Sequence, residues 1–376
     1  DLGTGEKKYN EFPAKATGND CFSAFPGEYD WYETVKLNYG VDYGNGTRNF
    51  EPIPNTWFKM LHILRYWAAK GIDGFRCDMA HMVPIEFWEW AISNIKETYP
   101  NIIFIAEIYE PHLYRDFINK GGFDFLYDKV TLYDTLRNVQ CSNYSAAQIT
   151  NCWQTVDGIN HNMLNFLENH DEQRFASDFF GFDAANTLAP LYVSLFLNTA
   201  PFMVYFGEEV GEKGMDEEGF SGCDGRTTIF DWWSVASIRR LRKLIASGEY
   251  KTLDPEKITK AGLEREEADI FCRFAEAVRL ASEDEAIKKG TTYDLCYCNM
   301  SSDGFDKNRH YAFLRDHEDH TLLIAANFSK YEANMKLIIP EHAFEWMGIP
   351  STEELHPGKV IEVTVPPMDG AVIKLI

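Results

Sequence analysis

Between residues 56 and 207 the chain alternates segments of helical period with short apolar runs, and that alternation decides its fold class. TWFKMLHILRYWAAKG carries apolar residues at helical spacing and stops on Gly71. The run IDGFRC follows and ends in Asp78; PIEFWEWAISNIKETY, with Pro84 at its start, then reads as a second helix. NIIFIA ends in Glu107, and the rhythm continues through GGFDFLYDK, NMLNFLENHD and PFMVYFGEE. Buried strands joined by crossover helices run parallel, so strands near residues 72, 102, 123, 164 and 202 predict an α/β fold. A (β/α)8 TIM barrel of this kind needs eight strands, so the visible set reads as an incomplete barrel from about strand 4 on.

Residues 1–50, rich in Gly, Asn, Tyr and Asp, show no period and read as an excursion following a missing third barrel strand. Residues 51–285 form the C-terminal part of the barrel. From about Gly290 the runs YDLCYCN, HYAFLRD, TLLIAANFS, NMKLIIP, VIEVTVPP and GAVIKLI predict an all-β C-terminal sandwich over 290–376. An open sheet would leave edges unpaired, so the expected partner of this chain is the missing N-terminal barrel segment, on the same polypeptide or a second chain.

The uncharged stretch from Ala184 to Gly207 is long enough to cross a bilayer. Asn198 and Pro201 interrupt it, so it reads as a buried helix ending near Leu197, a turn and a buried strand Phe202–Phe206. No membrane span is expected. A net charge of −22 also argues against nucleic acid or anionic lipid as a partner. The 27 Phe, 19 Tyr and 9 Trp suit either a flat neutral ligand or a large core. Eight cysteines do not form a disulfide framework here, because Cys77 lies within an apolar run and Cys296-x-Cys298 has the wrong spacing for zinc. HExxH, paired CxxC and P-loop motifs are absent, and no metal ligand is assigned. The chain opens at Asp1 without a signal-peptide pattern, and the sequence does not give a compartment.

Asp78, Glu107 and Asp171 each stand at the C-terminal end of a strand, where barrel enzymes gather their reactive groups. Paired carboxylates suit glycoside hydrolysis: one attacks the anomeric carbon while the other protonates the leaving oxygen. Arg76 precedes Asp78 by two positions, so strand alternation puts both side chains on one face. A cation there keeps the attacking group ionised, and an ion pair internal to the barrel is the structural alternative.

GFRCD (74–78), FIAEIY (104–109) and FLENHD (166–171) resemble the second, third and fourth motifs of the α-amylase family of glycoside hydrolases, in order. YFGEEVG (205–211), GRTTIFDW (225–232), YAFLR and AANFS are similar to its last barrel strand and C-terminal domain. The resemblance implies a retaining α-glucan hydrolase with Asp78 as nucleophile, Glu107 as acid/base and Asp171 gripping sugar hydroxyls. It gives Arg76 the task of holding the nucleophile and places His170 and Asn169 at the sugar. It implies no required cofactor and leaves room for a structural calcium ion.

The family's first motif is absent, and KLN (36–38) is similar to a short motif near the end of the excursion. Where many α-amylases carry Lys-His after the nucleophile, this chain has His81 and Met82, and His81 reads as a subsite residue or a structural histidine. HMVPIEFWEW is similar to the family's maltosyltransferases, which use maltose-1-phosphate. Tyr109, Trp31, Tyr32 and Tyr43 are candidate sugar-stacking rings, with packing as the alternative. Transglycosylation, or a non-catalytic glucan-binding role, stands beside hydrolysis.

Overall fold

A computed structural model describes residues 37–42, 45–141, 144–215, 223–229 and 235–376. Trp31, Tyr32, Lys36, Tyr43 and most of the expected 1–50 excursion lie outside the described residues. The chain divides into two compact units, residues 1–125 and 126–376.

In the first unit a short antiparallel ladder, β1 (Val41–Asp42) with β2 (Thr47–Arg48), precedes helix α1 (Asn55–Ala68). Strand β3 (Gly74–Cys77), helix α2 (Ile85–Lys96), strand β4 (Ile103–Ala106) and helix α3 (Tyr114–Asn119) follow. β3 and β4 pair in parallel from Gly74 opposite Ile103 to Cys77 opposite Ala106. Gly74 is needed there, because a Cβ would stand 2.5 Å from the Ile103 carbonyl oxygen. Pro84 caps α2 from just outside the helix, where its extended φ and missing N–H do no harm.

A relay of rings fills this unit. Trp57 and Trp88 both pack on Phe87, Phe123 lies edge-on to Trp88, and Phe75 stacks on Phe104 at 5.3 Å between centroids. Such contacts add to plain area burial. Much of the aromatic content is therefore core. α1 is the exception to the expected burial: Phe58, Ile63, Tyr66 and Trp67 are about half exposed, while Trp57, Leu61 and Ala68 face inward.

Strand β5 (Phe125–Tyr127) leads into the second unit, which continues with α4 (Asp134–Gln140), α5 (Ile149–Thr155), β6 (Met163–Phe166), α6 (Leu188–Phe196) and β7 (Phe202–Met203). β5, β6 and β7 pair in parallel. Helices α7 (Ala236–Ser247), α8 (Pro255–Lys260), α9 (Arg265–Glu283) and α10 (Glu285–Lys289) come next. The uncharged stretch forms the buried helix expected, but the strand after it stops at Met203, and Val204 is already exposed. No helix among the described residues is long and apolar enough to cross a membrane.

The last third holds β8 (Thr291–Asp294), α11 (Cys296–Asn299), β9 (His310–His317), β10 (His320–Asn327), β11 (Ala333–Ile338), α12 (Glu341–Met347), β12 (Val360–Val365) and β13 (Asp369–Lys374). A four-stranded antiparallel sheet runs β13-β10-β9-β8, and β11 pairs with β12 in a second sheet. YDLCYCN is strand only as far as Asp294. The Asp294 carboxylate accepts from the Cys296 N–H at 2.7 Å and turns CYCN into a helical turn. Gly370 is obligatory, because the Tyr192 ring of α6 stands 2.4 Å from where its Cβ would be. Asn327, fully buried, donates to the carbonyls of Tyr331 and Pro366 and so stitches the end of β10 to the loop after β12. The described cysteines are all unpaired.

Arg315 on β9 is fully buried, and no carboxylate among the described residues hydrogen-bonds to it, although the nearby Asp284 charge favours its cation. Its guanidinium donates instead to the carbonyls of Ala286 and Ile287 in α10 and of Leu197 just past α6, at 2.6–3.3 Å. Leu197 lies at the C-terminal, negative end of the α6 dipole.

Asp128 follows β5 and is also buried; its carboxylate accepts from the Leu132 N–H at 2.9 Å and from the Thr131 hydroxyl. Burial pushes this carboxyl from 3.8 up to about 7. The folded chain therefore keeps a proton that the unfolded chain has released, and stability falls as the pH rises from about 4 to about 7. The full span is worth about 4 kcal/mol. Asp128→Asn, which keeps the acceptor oxygen, should flatten that slope; melting temperatures of both proteins across this window check it.

Candidate active site

The ladder between β3 and β4 runs past both strands. The Glu107 N–H donates to the Cys77 carbonyl at 3.0 Å, and the Ala80 N–H donates back to the Glu107 carbonyl at 2.9 Å. Asp78 and Glu107 are thereby fixed side by side at the C-terminal ends of neighbouring strands. Met79 takes a left-handed conformation, φ 41°, which an unbranched side chain rarely adopts. That turn aims its N–H at the Glu107 side chain, Oε2 accepting at 2.8 Å.

Arg76 joins the two carboxylates. One guanidinium nitrogen lies 2.5 Å from Asp78 Oδ1 and the other 2.8 Å from Glu107 Oε1. The environments differ sharply: the Asp78 side chain is 78% exposed and that of Glu107 only 3%. Asp78 can thus meet an incoming molecule directly. Glu107 is enclosed by donors, since the Tyr109 hydroxyl also donates to its Oε1 at 2.6 Å. Tyr109 therefore acts on the carboxylate through its hydroxyl, a use the sequence does not show. The His81 ring stands 6.3 Å from that of Tyr109, and its buried Nδ1 has no hydrogen-bond partner among the described residues.

In the second unit, β6 ends in the loop bearing Asn169, His170 and Asp171. Asn169 is buried, and its Oδ1 accepts from the N–H groups of Asp171 and Glu172 at 2.9 and 2.8 Å, the turn an asparagine side chain favours. His170 Nε2 lies 3.1 Å from Asp171 Oδ2, with the Asp171 side chain 49% exposed. Arg226, in the GRTT stretch, donates to the Asp171 carbonyl at 2.8 Å and pairs with Asp224.

Beneath this loop lies a feature that spacing did not reveal. Arg174 and Glu168 form a fully buried ion pair at 2.7 Å. Arg174 also donates to Thr227 and to the Phe206 carbonyl, and its guanidinium lies 4.2 Å from the Tyr205 ring centroid. Glu168 accepts in addition from the Phe175 N–H at 2.6 Å. Burial pushes the Glu168 carboxyl up, and Glu208 is driven well up by burial and by the nearby Glu168 charge. The available signal was Glu168 itself, a charge inside an apolar run. No group of three or more His, Cys, Asp or Glu placed to hold a metal ion occurs among the described residues.

Residues 53–309 match the family described as the alpha-amylase catalytic domain. The chain belongs to the alpha-amylase family. It is 35% identical over 75 residues to an alpha-1,4-glucan:maltose-1-phosphate maltosyltransferase of Picrophilus torridus, covering 20% of this chain and 12% of that protein. Neopullulanase 2 of Thermoactinomyces vulgaris is 23% identical over 327 residues, 84% of this chain and 47% of that protein. The chain thus matches less than half the length of either relative. Among solved structures, the noncanonic maltogenic alpha-amylase AmyB of Thermotoga neapolitana aligns with a TM-score of 0.57 at 20% identity, over 93% of this chain and 68% of that one. That likeness, with the family match, establishes the fold as barrel-type α/β followed by a β domain.

Arg174→Met should cost about 3–5 kcal/mol, because it leaves Glu168 buried and uncompensated. Adding Glu168→Leu should recover part of the loss, since an apolar pair has no charge to desolvate. Urea unfolding of the single and double variants measures both steps.

Proposed function

We propose that this chain carries the carboxylate machinery of a retaining enzyme acting on α-glucans. The observation that carries this reading is the Arg76 guanidinium shared between an exposed Asp78 and an enclosed Glu107. In double displacement one carboxylate attacks the anomeric carbon, and the other first gives a proton to the leaving oxygen and then takes one from the incoming acceptor. Asp78, open to solvent and held by a cation, fits the attacking role. Glu107 fits the proton-transfer role, with Arg76, Tyr109 and the Met79 N–H fixing its position. To reach a leaving oxygen, the Glu107 carboxyl has to give up one of those donors, and substrate binding supplies the occasion.

Asp171 takes from the family motif the grip on sugar hydroxyls, with His170 beside it and Asn169 shaping the loop. His81, with its ring 6.3 Å from that of Tyr109, is kept as a subsite candidate. The mechanism needs no cofactor, and a structural calcium ion has no assigned ligands in this reading. The catalytic part is taken as 51–285 and the β domain as 290–376.

Maltosyl transfer is the second reading, favoured by the maltosyltransferase of Picrophilus torridus matched over 75 residues. Both reactions share the glycosyl-enzyme and differ in the acceptor that resolves it. Incubation with maltose-1-phosphate and a maltooligosaccharide separates the two: transfer lengthens the oligosaccharide by two glucose units, whereas hydrolysis yields free maltose, phosphate leaving in both.

Asp78→Asn should lower turnover of maltooligosaccharides by at least about a thousandfold, because an amide is a poor nucleophile. Glu107→Gln should spare activated substrates such as aryl glycosides, which need little protonation, while losing natural ones. Near-normal turnover by Asp78→Asn would overturn the assignment. Proton NMR of fresh product should show the α-anomer first, whereas an initial β-anomer would exclude retention.

A further inference from the structure

The C-terminal β domain displays rings that its core does not require. Tyr297 on α11 and Trp346 on α12 are 55% and 56% exposed, and His342, one turn before Trp346, is exposed as well. Tyr293, at the end of β8, is buried and forms a wedge among them. Its ring centroid lies 6.3 Å from that of Tyr297 and 6.0 Å from that of Trp346, with interplanar angles of 53° and 52°. The Tyr293 hydroxyl bonds to the Tyr297 hydroxyl at 2.6 Å and to His342 Nδ1 at 3.1 Å. A buried tyrosine thus sets the pose of two exposed rings and supplies a polar seam between them.

We propose that Tyr297 and Trp346, braced by Tyr293 and flanked by His342, form a glucan-binding platform of the β domain. The identity of the ligand rests on the α-glucan reading given above. Two observations select a sugar over other occupants. Glu341 and Glu345 border the rings in a chain of net charge −22, so an anionic ligand is repelled. The patch comprises three exposed side chains, far fewer than the roughly 20–30 residues a side of a stable protein interface. Rings with hydroxyl and imidazole groups at their rim meet both needs of a sugar, an apolar face and hydrogen-bonding edges.

The test is affinity electrophoresis of the whole chain in native gels containing amylopectin, with titration of β-cyclodextrin by calorimetry. Tyr297→Ala and Trp346→Ala should each weaken binding roughly three- to tenfold, and the double variant more. Their turnover of maltotriose and their melting temperatures should stay as in the parent. Gels containing hydroxyethyl cellulose should retard none of them. Asp78→Asn separates this proposal from the catalytic one, because it should lose turnover yet keep its full retardation by amylopectin. Retardation unchanged in the double variant, or absent from the parent, overturns the platform. Lower melting temperature with unchanged migration overturns it too, since the rings would then be packed on protein.

Discussion

Everything proposed for the active site depends on backbone pairing that continues beyond regular strand. β3 and β4 are each four residues long. The next two ladder bonds, Glu107 to Cys77 and Ala80 to Glu107, place the acidic residues rather than the strands. Two carboxylates on unpaired loops would drift apart under their own repulsion. Here the peptide groups fix their origins, and one guanidinium supplies the counter-charge. The left-handed Met79 is the conformational cost of that arrangement. It returns one further N–H to Glu107.

Buried arginines are used in two ways in the second unit. Arg174 meets a carboxylate, and removing either partner strands the other. Arg315 meets carbonyl groups at the end of α6 and within α10, so its charge is spread over peptide dipoles. Burial lowers the Arg315 guanidinium to about 10, still cationic at neutral pH. The first device supports the loop of Asn169, His170 and Asp171. The second joins β9 to the helices before it.

Elements with a strong period were legible in the sequence. α1, α2 and the strands ending at Cys77, Ala106 and Phe166 lie where apolar spacing put them, because burial of one face determines them. The CYCN turn was not legible, since a single Asp294 side chain overrides the strand preference of its neighbours. α12 was missed for a similar reason: EHAFEWM is short and carries only a weak period. At the site, Asp78, Glu107 and Arg76 could be named because two-residue alternation and strand ends are sequence properties. The Arg226 hold on Asp171 depends on how chain segments return in space, which no spacing encodes. Tyr109 stands two residues after Glu107, so alternation puts both on one face, and only the use of its hydroxyl was not legible.

The partners of Arg315 have a consequence for acid. A carboxylate partner is switched off by protonation, and a joint built on it loosens when the medium is acidified. Carbonyl oxygens and the Thr292 hydroxyl do not titrate in any range a protein survives. The hydrogen bonds that hold Arg315 at the junction of β9 with α6 and α10 therefore have no pH setting, and acid removes only the added attraction of the nearby Asp284 charge.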